Sequence, residues 1–108
     1  MRTISFEEFK RVELRIGKVV AAERVPGTDR LMRLELDLGG ERRQVVAGIA
    51  PFYDPGELVG RELPVVLNLE PRRIKGVESQ GMILAVDAGG EVVLLQPEKE
   101  VPPGSLVR

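Results

Sequence analysis

A chain of 108 residues with 43% hydrophobic residues is long enough for one hydrophobic core and too short for two, so we expect one domain over residues 1–108. The chain has no cysteine and no histidine, which excludes disulfides, thiolate zinc sites and Ser-His-Asp triads; we therefore expect no enzyme, no cofactor and no metal site. The net charge of −1 argues against a uniformly basic surface and leaves room for a local basic patch.

The first predicted element is a short helix that ends near Lys10. Ser5 and Glu8 match a capping box, in which the serine hydroxyl accepts a backbone N–H at the helix start and the glutamate side chain returns to the serine N–H. The helix places Phe6 and Phe9 on one face. We expect both rings to seal a core, because four aromatic residues in the whole chain are too few for a base-stacking surface.

Three strands are predicted to follow this helix. Residues 14–25 are rich in valine and alanine and predict a long strand that bends or bulges at Gly17. Residues 32–38 alternate apolar and charged side chains, which indicates a strand with one buried face. A Gly-Gly turn then leads into a third strand over residues 42–47, so the second and third strands form a hairpin.

The remainder of the chain alternates short strands with segments rich in proline and glycine. One helical turn is predicted around residues 55–58, and the later strands are residues 63–67, 82–86 and 91–95. Pro64 suggests an edge or a first position in its strand, because proline cannot donate a ladder hydrogen bond. The three prolines of residues 96–108 predict a tail that lies extended against another surface.

These elements predict an all-β fold. Short strands with turns about every ten residues, and one helical turn between the third and fourth strands, indicate a small closed antiparallel barrel. The oligonucleotide/oligosaccharide-binding (OB) fold fits this order best: a five-stranded antiparallel barrel with a short N-terminal helix and a C-terminal extension over residues 96–108. An open sandwich is the alternative.

The unusual chemistry of the chain is concentrated in residues 68–82, between two predicted strands. Three cations, Arg72, Arg73 and Lys75, fall within four positions, and Gly76 and Gly81 permit sharp turns or the close approach of a ligand. Short hydrogen-bonding side chains, Asn68, Ser79 and Gln80, accompany them. Such a loop is suited to binding the phosphates of a polyanionic backbone.

A second interpretation of the same segment is a solvated surface loop. Charge runs usually form solvated faces, and here Glu70 and Glu78 could pair with the arginines. Spacing alone favours this second interpretation.

Residues 68–85, NLEPRRIKGVESQGMILA, resemble the signature of the tRNA-binding domain family. This family includes free-standing dimeric tRNA-binding proteins, the C-terminal domain of many bacterial methionyl-tRNA synthetases and synthetase-associated cofactors. Three further segments are similar in the same order, namely FKRVELRI at residues 9–16, VPGTDRL at 25–31 and VVAGIA at 45–50. The resemblance thus covers nearly the whole chain.

The resemblance implies an OB barrel that binds tRNA by shape, and a homodimer built partly through residues 96–108. Position by position, it implies a tRNA-binding site formed by Asn68, Arg72, Arg73, Lys75, Ser79 and Met82. Arg73 stands where relatives commonly have lysine, which keeps the charge and changes the geometry. From the residues themselves, Met82 could equally be a core side chain.

The function expected from this resemblance is non-catalytic tRNA binding, as an accessory to aminoacylation or tRNA handling, with an aminoacyl-tRNA synthetase as a further partner. The alternative is a chaperone or protein-export factor, because the CsaA secretion chaperones are similar in barrel and dimeric habit. No apolar run approaches the roughly 20 residues of a membrane helix and no signal-peptide core is present, so we expect a cytoplasmic location and no membrane partner.

Overall fold

The computed structural model describes residues 1–108. Its two helices are α1, Phe6–Lys10, and α2, Pro55–Leu58. Its nine strands are β1, Leu14–Arg24; β2, Met32–Asp37; β3, Arg42–Ala47; β4, Glu62–Val66; β5, Arg72–Ile74; β6, Val77–Ser79; β7, Met82–Ile83; β8, Ala85–Ala88; and β9, Glu91–Leu94. Neither helix has the length and the apolar sequence needed to span a membrane.

Five strands form one antiparallel sheet in the order β3-β2-β1-β4-β7. The pairs β5-β6 and β8-β9 form two separate hairpins. The sheet curls into a nearly closed barrel, and β6 lies beside β3 where the barrel closes. This architecture confirms the predicted all-β, five-stranded OB barrel with short helices.

The core follows from the alternation of side chains along the strands. In β2, Met32, Leu34 and Leu36 are fully buried while the charged residues between them are partly exposed, as the period of two predicts. The side chains that are almost fully buried are Val19, Met32, Leu34, Leu36, Val45, Ile49, Leu58, Leu63 and Val65. They come from four strands and from the segment around α2, so one core holds the barrel together.

A bend or bulge in β1 was predicted at Gly17, but the irregularity lies beyond that residue. The register against β2 shifts between Val19 and Ala21, so the extra residue lies between them. At Gly17, a Cβ atom would come within 3.3 Å of Leu36 and of Val65. Glycine therefore allows close packing at this position and does not mark the bulge.

The strand that contains Pro64 is not an edge strand, because β4 pairs with β1 on one side and with β7 on the other. Pro64 stands opposite Ile16, and both backbone polar groups of Ile16 bond to the C-terminal tail, away from β4. The pair is thus a non-hydrogen-bonded one in the β1-β4 ladder, and the missing N–H of proline costs the ladder nothing.

The region after β4 differs from the prediction in two ways. Residues 72–79, expected as loop, form the hairpin β5-β6. The predicted strand 82–86 is divided, since Met82 and Ile83 pair with β4 whereas residues 85–88 pair with β9. The Leu84 N–H donates to Pro64 O (3.0 Å), which extends the contact with β4 by one residue before the chain pairs with β9.

The capping box of α1 is present, with Ser5 Oγ accepting the Glu8 N–H and Glu8 Oε1 accepting the Ser5 N–H, both at 3.1 Å. The expectation that the two phenylalanines seal a core is wrong. Phe6 is 71% exposed and Phe9 is 45% exposed. The reason is that α1 lies outside the barrel and buries none of its residues.

The tail lies extended, as its prolines predicted, and the surface that it covers is β1. Ile16 donates to Ser105 O (2.9 Å) and accepts from Gly104 N–H (2.7 Å), and Val107 donates to Leu14 O (2.9 Å). The tail therefore satisfies backbone groups of β1 that no other strand reaches.

Candidate nucleic-acid interface

The basic segment forms a projecting hairpin, which we call the arm and define as residues 68–81. Its two strands pair Arg72 with Ser79 and Ile74 with Val77. The turn between them has positive φ at both Lys75 (52°) and Gly76 (81°), as in a two-residue hairpin turn whose twist matches that of its strands. No atom lies within 4 Å of the place that a Gly76 side chain would take, so the tip projects into solvent.

Side chains, rather than a ladder of backbone bonds, attach the arm to β3. The Gln44 N–H donates to Gln80 Oε1 (3.0 Å), and the Gln44 side-chain amide donates to Glu78 O (2.8 Å). The Gln80 N–H returns a bond to Gln44 O at 2.8 Å. These reciprocal bonds fix the returning strand of the arm against the barrel.

Arg43 joins the two ends of the arm. Its Nη1 atom donates to Leu67 O at 2.6 Å and lies 3.4 Å from Gln80 O, and these carbonyls stand at the beginning and the end of the arm. The side chain is 28% exposed and also contacts Glu41. Arg43 is thus a positioning residue that holds the base of the hairpin closed.

Asn68, which was predicted to bind tRNA, is engaged within the chain. Its Oδ1 accepts the Glu13 N–H at 2.8 Å, and its side-chain amide donates to Arg11 O. Both ends of the amide are therefore occupied by the segment between α1 and β1. This geometry makes Asn68 a residue that positions the start of the arm.

The side chain of Ser79, like that of Asn68, is hydrogen-bonded within the chain. Ser79 is 3% exposed; its Oγ accepts the Val46 N–H at 3.0 Å and donates to Gly81 O at 3.0 Å. Gly81 has φ 143°, and a Cβ atom there would stand 2.8 Å from Val66 O. Gly81 therefore allows a close approach of the arm to the barrel.

The cations of the arm have no carboxylate partner. The six ion pairs of the protein involve one lysine, Lys10, and five arginines outside the arm. None includes Arg72, Arg73 or Lys75. Arg73 donates to Gly76 O at 3.0 Å, across the turn. The arginines of this segment therefore form no ion pair with Glu70 or Glu78, although Glu78 stands opposite Arg73 in the hairpin. All three cations are exposed to solvent.

A cleft of about 440 Å³ lies between the arm and the outer face of β3. Its walls are Val46, Leu69, Glu70, Pro71, Arg72, Ser79, Gly81 and Met82. Met82 is 46% exposed at this cleft, so its interpretation as a core residue is wrong. An apolar wall beside a guanidinium group can receive the sugar or an unstacked base of a nucleotide whose phosphate binds the arginine.

The cleft thus brings together three predicted site residues, Arg72, Ser79 and Met82. Arg73 and Lys75 lie farther along the arm, and Asn68 lies at its base outside the cleft. Sequence reasoning missed the contributions of β3, chiefly Arg43, Gln44 and Val46. The period of two places Gln44 and Val46 on one face of a strand, but no local signal indicates that the arm lies on that face.

Comparison with known proteins gives a consistent result. Residues 14–106 match the family described as "Putative tRNA binding domain". The chain is 57% identical over 105 residues to the methionine--tRNA ligase of Methanothrix thermoacetophila, covering 97% of this chain and 16% of the ligase. It is 51% identical over 108 residues to the ligase of Pyrococcus furiosus, covering 100% of this chain and 15% of that protein. The chain therefore spans about one-sixth of the length of these relatives.

Two solved structures are similar over nearly their full length. The MetRS related protein from Pyrococcus horikoshii has a TM-score of 0.95 and 38% identity, with all of both chains covered. The chaperone CsaA from Bacillus anthracis has a TM-score of 0.89 and 38% identity, covering 99% of this chain and 100% of that one.

Proposed function

Because this chain belongs to the tRNA-binding domain family, we propose that it binds tRNA without catalysing a reaction, through the arm and the cleft at its base. The observation that carries this proposal is the set of three unpaired cations, Arg72, Arg73 and Lys75, on a hairpin whose base is fixed to the barrel. Because the base of the hairpin is fixed, its backbone loses little freedom on binding, which favours affinity for a polyanion.

The proposed recognition is by shape. The arginine forks suit phosphate oxygens, and phosphate contacts set the position of a nucleic acid without reading its sequence. The arm is only three residues long on each strand, and side chains cannot read the deep, narrow major groove of an RNA helix. The cleft beside Arg72 and Met82 then takes one sugar or one unstacked base at the same contact.

The proposed role is an accessory one in aminoacylation or tRNA handling, in the cytoplasm, with a synthetase as a further partner. Its support is the similarity to methionine--tRNA ligases, of which the chain spans 15–16%. A domain of this kind raises the local concentration of tRNA for a catalytic unit, whether joined to it or docked on it.

The test compares a folded tRNA with a single-stranded RNA of equal length over a salt series. The triple variant R72A/R73A/K75A is measured beside K10A/R24A/K99A, which removes three charges elsewhere. We expect the wild type to prefer the folded tRNA. In the arm variant, the slope of log affinity against log salt should decrease in magnitude by about two to three, since each of the three lost phosphate contacts removes roughly 0.7–0.9. An arm variant that folds and binds like its control would refute the proposal.

We also propose that two copies associate through the tail face. A depression of about 440 Å³ there is lined by apolar residues that include Leu95 and Leu106, which are 41% and 52% exposed. A second copy would cover them. In sedimentation, Leu106→Asp should shift a wild-type dimer toward monomer, whereas Val59→Asp, at an equally exposed valine, should not. A Leu106→Asp protein that sediments as the wild type contradicts this role.

The second candidate function is polypeptide binding, which the likeness to the Bacillus anthracis chaperone CsaA supports. The exposed Phe6 and Phe9 rings supply an apolar surface of the kind that an unfolded chain binds. A competition experiment separates the candidates. Displacement of tRNA by a reduced, unfolded polypeptide at similar concentration would favour the chaperone function, and retention of tRNA would favour the first proposal.

A further inference from the structure

Two depressions on the outer face of β3 share their central residues. The cleft at Arg72 includes Leu69 and Pro71. A neighbouring depression of about 300 Å³ is lined by the same two residues together with Arg42, Arg43, Glu41 and Gln80. The two depressions adjoin at Leu69 and Pro71, and we call them together the trough, whose lining includes Arg72 on one side and Arg42 on the other.

Arg42 and Arg43, which both line the second depression, differ in whether they are free to bind a phosphate. Arg43 is held by Leu67 O and Glu41. Arg42 precedes Arg43 in the strand and therefore points to the other face of β3. Its side chain is 62% exposed and forms one ion pair, with Glu35 at 3.6 Å. An exposed ion pair of this length contributes little free energy, so a phosphate can displace it.

The chemistry of the trough matches a nucleic-acid strand. Arg72 and Arg42 lie on either side of the trough, and the two residues that its halves share, Leu69 and Pro71, are apolar. This arrangement suits a phosphate, then a sugar or base, then another phosphate. Glu70 also lines the trough, and its carboxylate can accept a hydrogen bond from a ribose hydroxyl or a base amino group. Glu41 is occupied by Arg43.

We infer that Arg42 is a phosphate-binding residue outside the arm, and that an RNA strand held at Arg72 crosses Leu69 and Pro71 to reach it. This inference rests on the proposed function and extends its site onto the barrel. It assigns a contact to the segment between residues 34 and 71, where acidic residues outnumber basic ones by seven to three and where the sequence gives no sign of a basic surface.

The experiment measures tRNA affinity over a salt series for R42A, R42K and K99A. Lys99 is an exposed tail residue without an ion pair, so K99A controls for the loss of one charge. We expect R42A to bind roughly tenfold more weakly at low salt, with a salt slope lower by about 0.7–0.9. R42K should keep the slope because it keeps the charge, and E35Q should bind at least as tightly as wild type because it frees Arg42.

The outcomes are separable. If R42A behaves like K99A while R72A/R73A/K75A loses affinity, the inference about Arg42 is overturned and the proposed function stands. If wild-type protein shows no salt-dependent tRNA binding, both are overturned. Unfolding midpoints of R42A and R42K equal to that of wild type show that the changes in affinity arise at the surface, and a slope that falls only in R42A supports the contact.

Discussion

The guanidinium group of Arg43 lies 2.6 Å from the carbonyl oxygen of Leu67, and this bond fixes the point where the arm leaves the barrel. The same nitrogen lies near Gln80 O, where the arm returns. One β3 side chain therefore sets the separation of the two ends of the hairpin that carries the unpaired cations.

Replacement of Arg43 should weaken tRNA binding without removing a phosphate contact. Arg43→Met keeps an unbranched apolar chain, shorter than that of arginine, and removes the hydrogen bonds of the guanidinium group, which we expect to cost about 1–2 kcal/mol of unfolding free energy. The affinity for tRNA should fall because the arm is less well positioned, while the salt slope should stay close to that of wild type. Titrations of Arg43→Met and R42A in parallel test this contrast, and a slope that falls equally in both contradicts the positioning role.

Asn68 should prove to be a structural link between the arm and the N-terminal segment. Asn68→Ala removes the acceptor for Glu13 N–H and the donor to Arg11 O, which should destabilise the protein by about 1–3 kcal/mol. Asn68→Asp keeps the acceptor and should lose less. Urea unfolding measures both variants. If Asn68→Ala is as stable as wild type while its salt slope falls, the side chain acts on the ligand instead.

Lys75 has a strained backbone and an exposed charge. One substitution can remove the charge while keeping the backbone conformation. The φ of 52° at Lys75 is unfavourable for lysine and well tolerated by asparagine, the residue preferred in such turns. Lys75→Asn should therefore preserve or raise protection of the arm amides in hydrogen exchange, yet weaken tRNA binding with a slope lower by about 0.7–0.9. Undiminished affinity would exclude a phosphate contact at the tip.

Glu62 fastens the tail to β4. Its carboxylate is buried; Oε1 accepts the Val101 N–H at 2.8 Å, and Oε2 has no partner. Glu62→Ala should cost about 1–3 kcal/mol and speed proteolysis of the tail. Glu62→Gln keeps an acceptor oxygen for the Val101 N–H, so it should lose less stability than Glu62→Ala. Exposed Glu98 supplies the control, and equal digestion of Glu62→Ala and Glu98→Ala would contradict this attachment.

The sequence predicted those features whose cause is local. The capping box at Ser5 depends on residues three apart, and the buried face of β2 depends on a period of two. The hairpin of the arm escaped prediction because its strands have only three residues each and its turn carries Lys-Gly where Asn-Gly is the usual signal.

The sequence predicted which residues of the site are charged. It did not predict which of its residues are free to bind a ligand and which hold the arm in place. Arg72 and Lys75 are exposed and unpaired, as a binding role requires. Asn68 and Ser79 belong to the same sequence motif, yet their side chains bond to backbone groups 55 and 33 residues away. Only the folded chain reveals such partners, so a motif alone does not distinguish residues that bind from residues that position.

Residues 104–107 of the tail also protect the edge of β1 from open-ended pairing with strands of other molecules. They occupy the backbone groups of Leu14 and Ile16 that would otherwise form an open sheet edge. A protease that cut near Glu100 would release this cover and leave a template to which strands of other molecules could add. Loss of the tail should thus produce large, irregular aggregates on storage, rather than a homogeneous monomer.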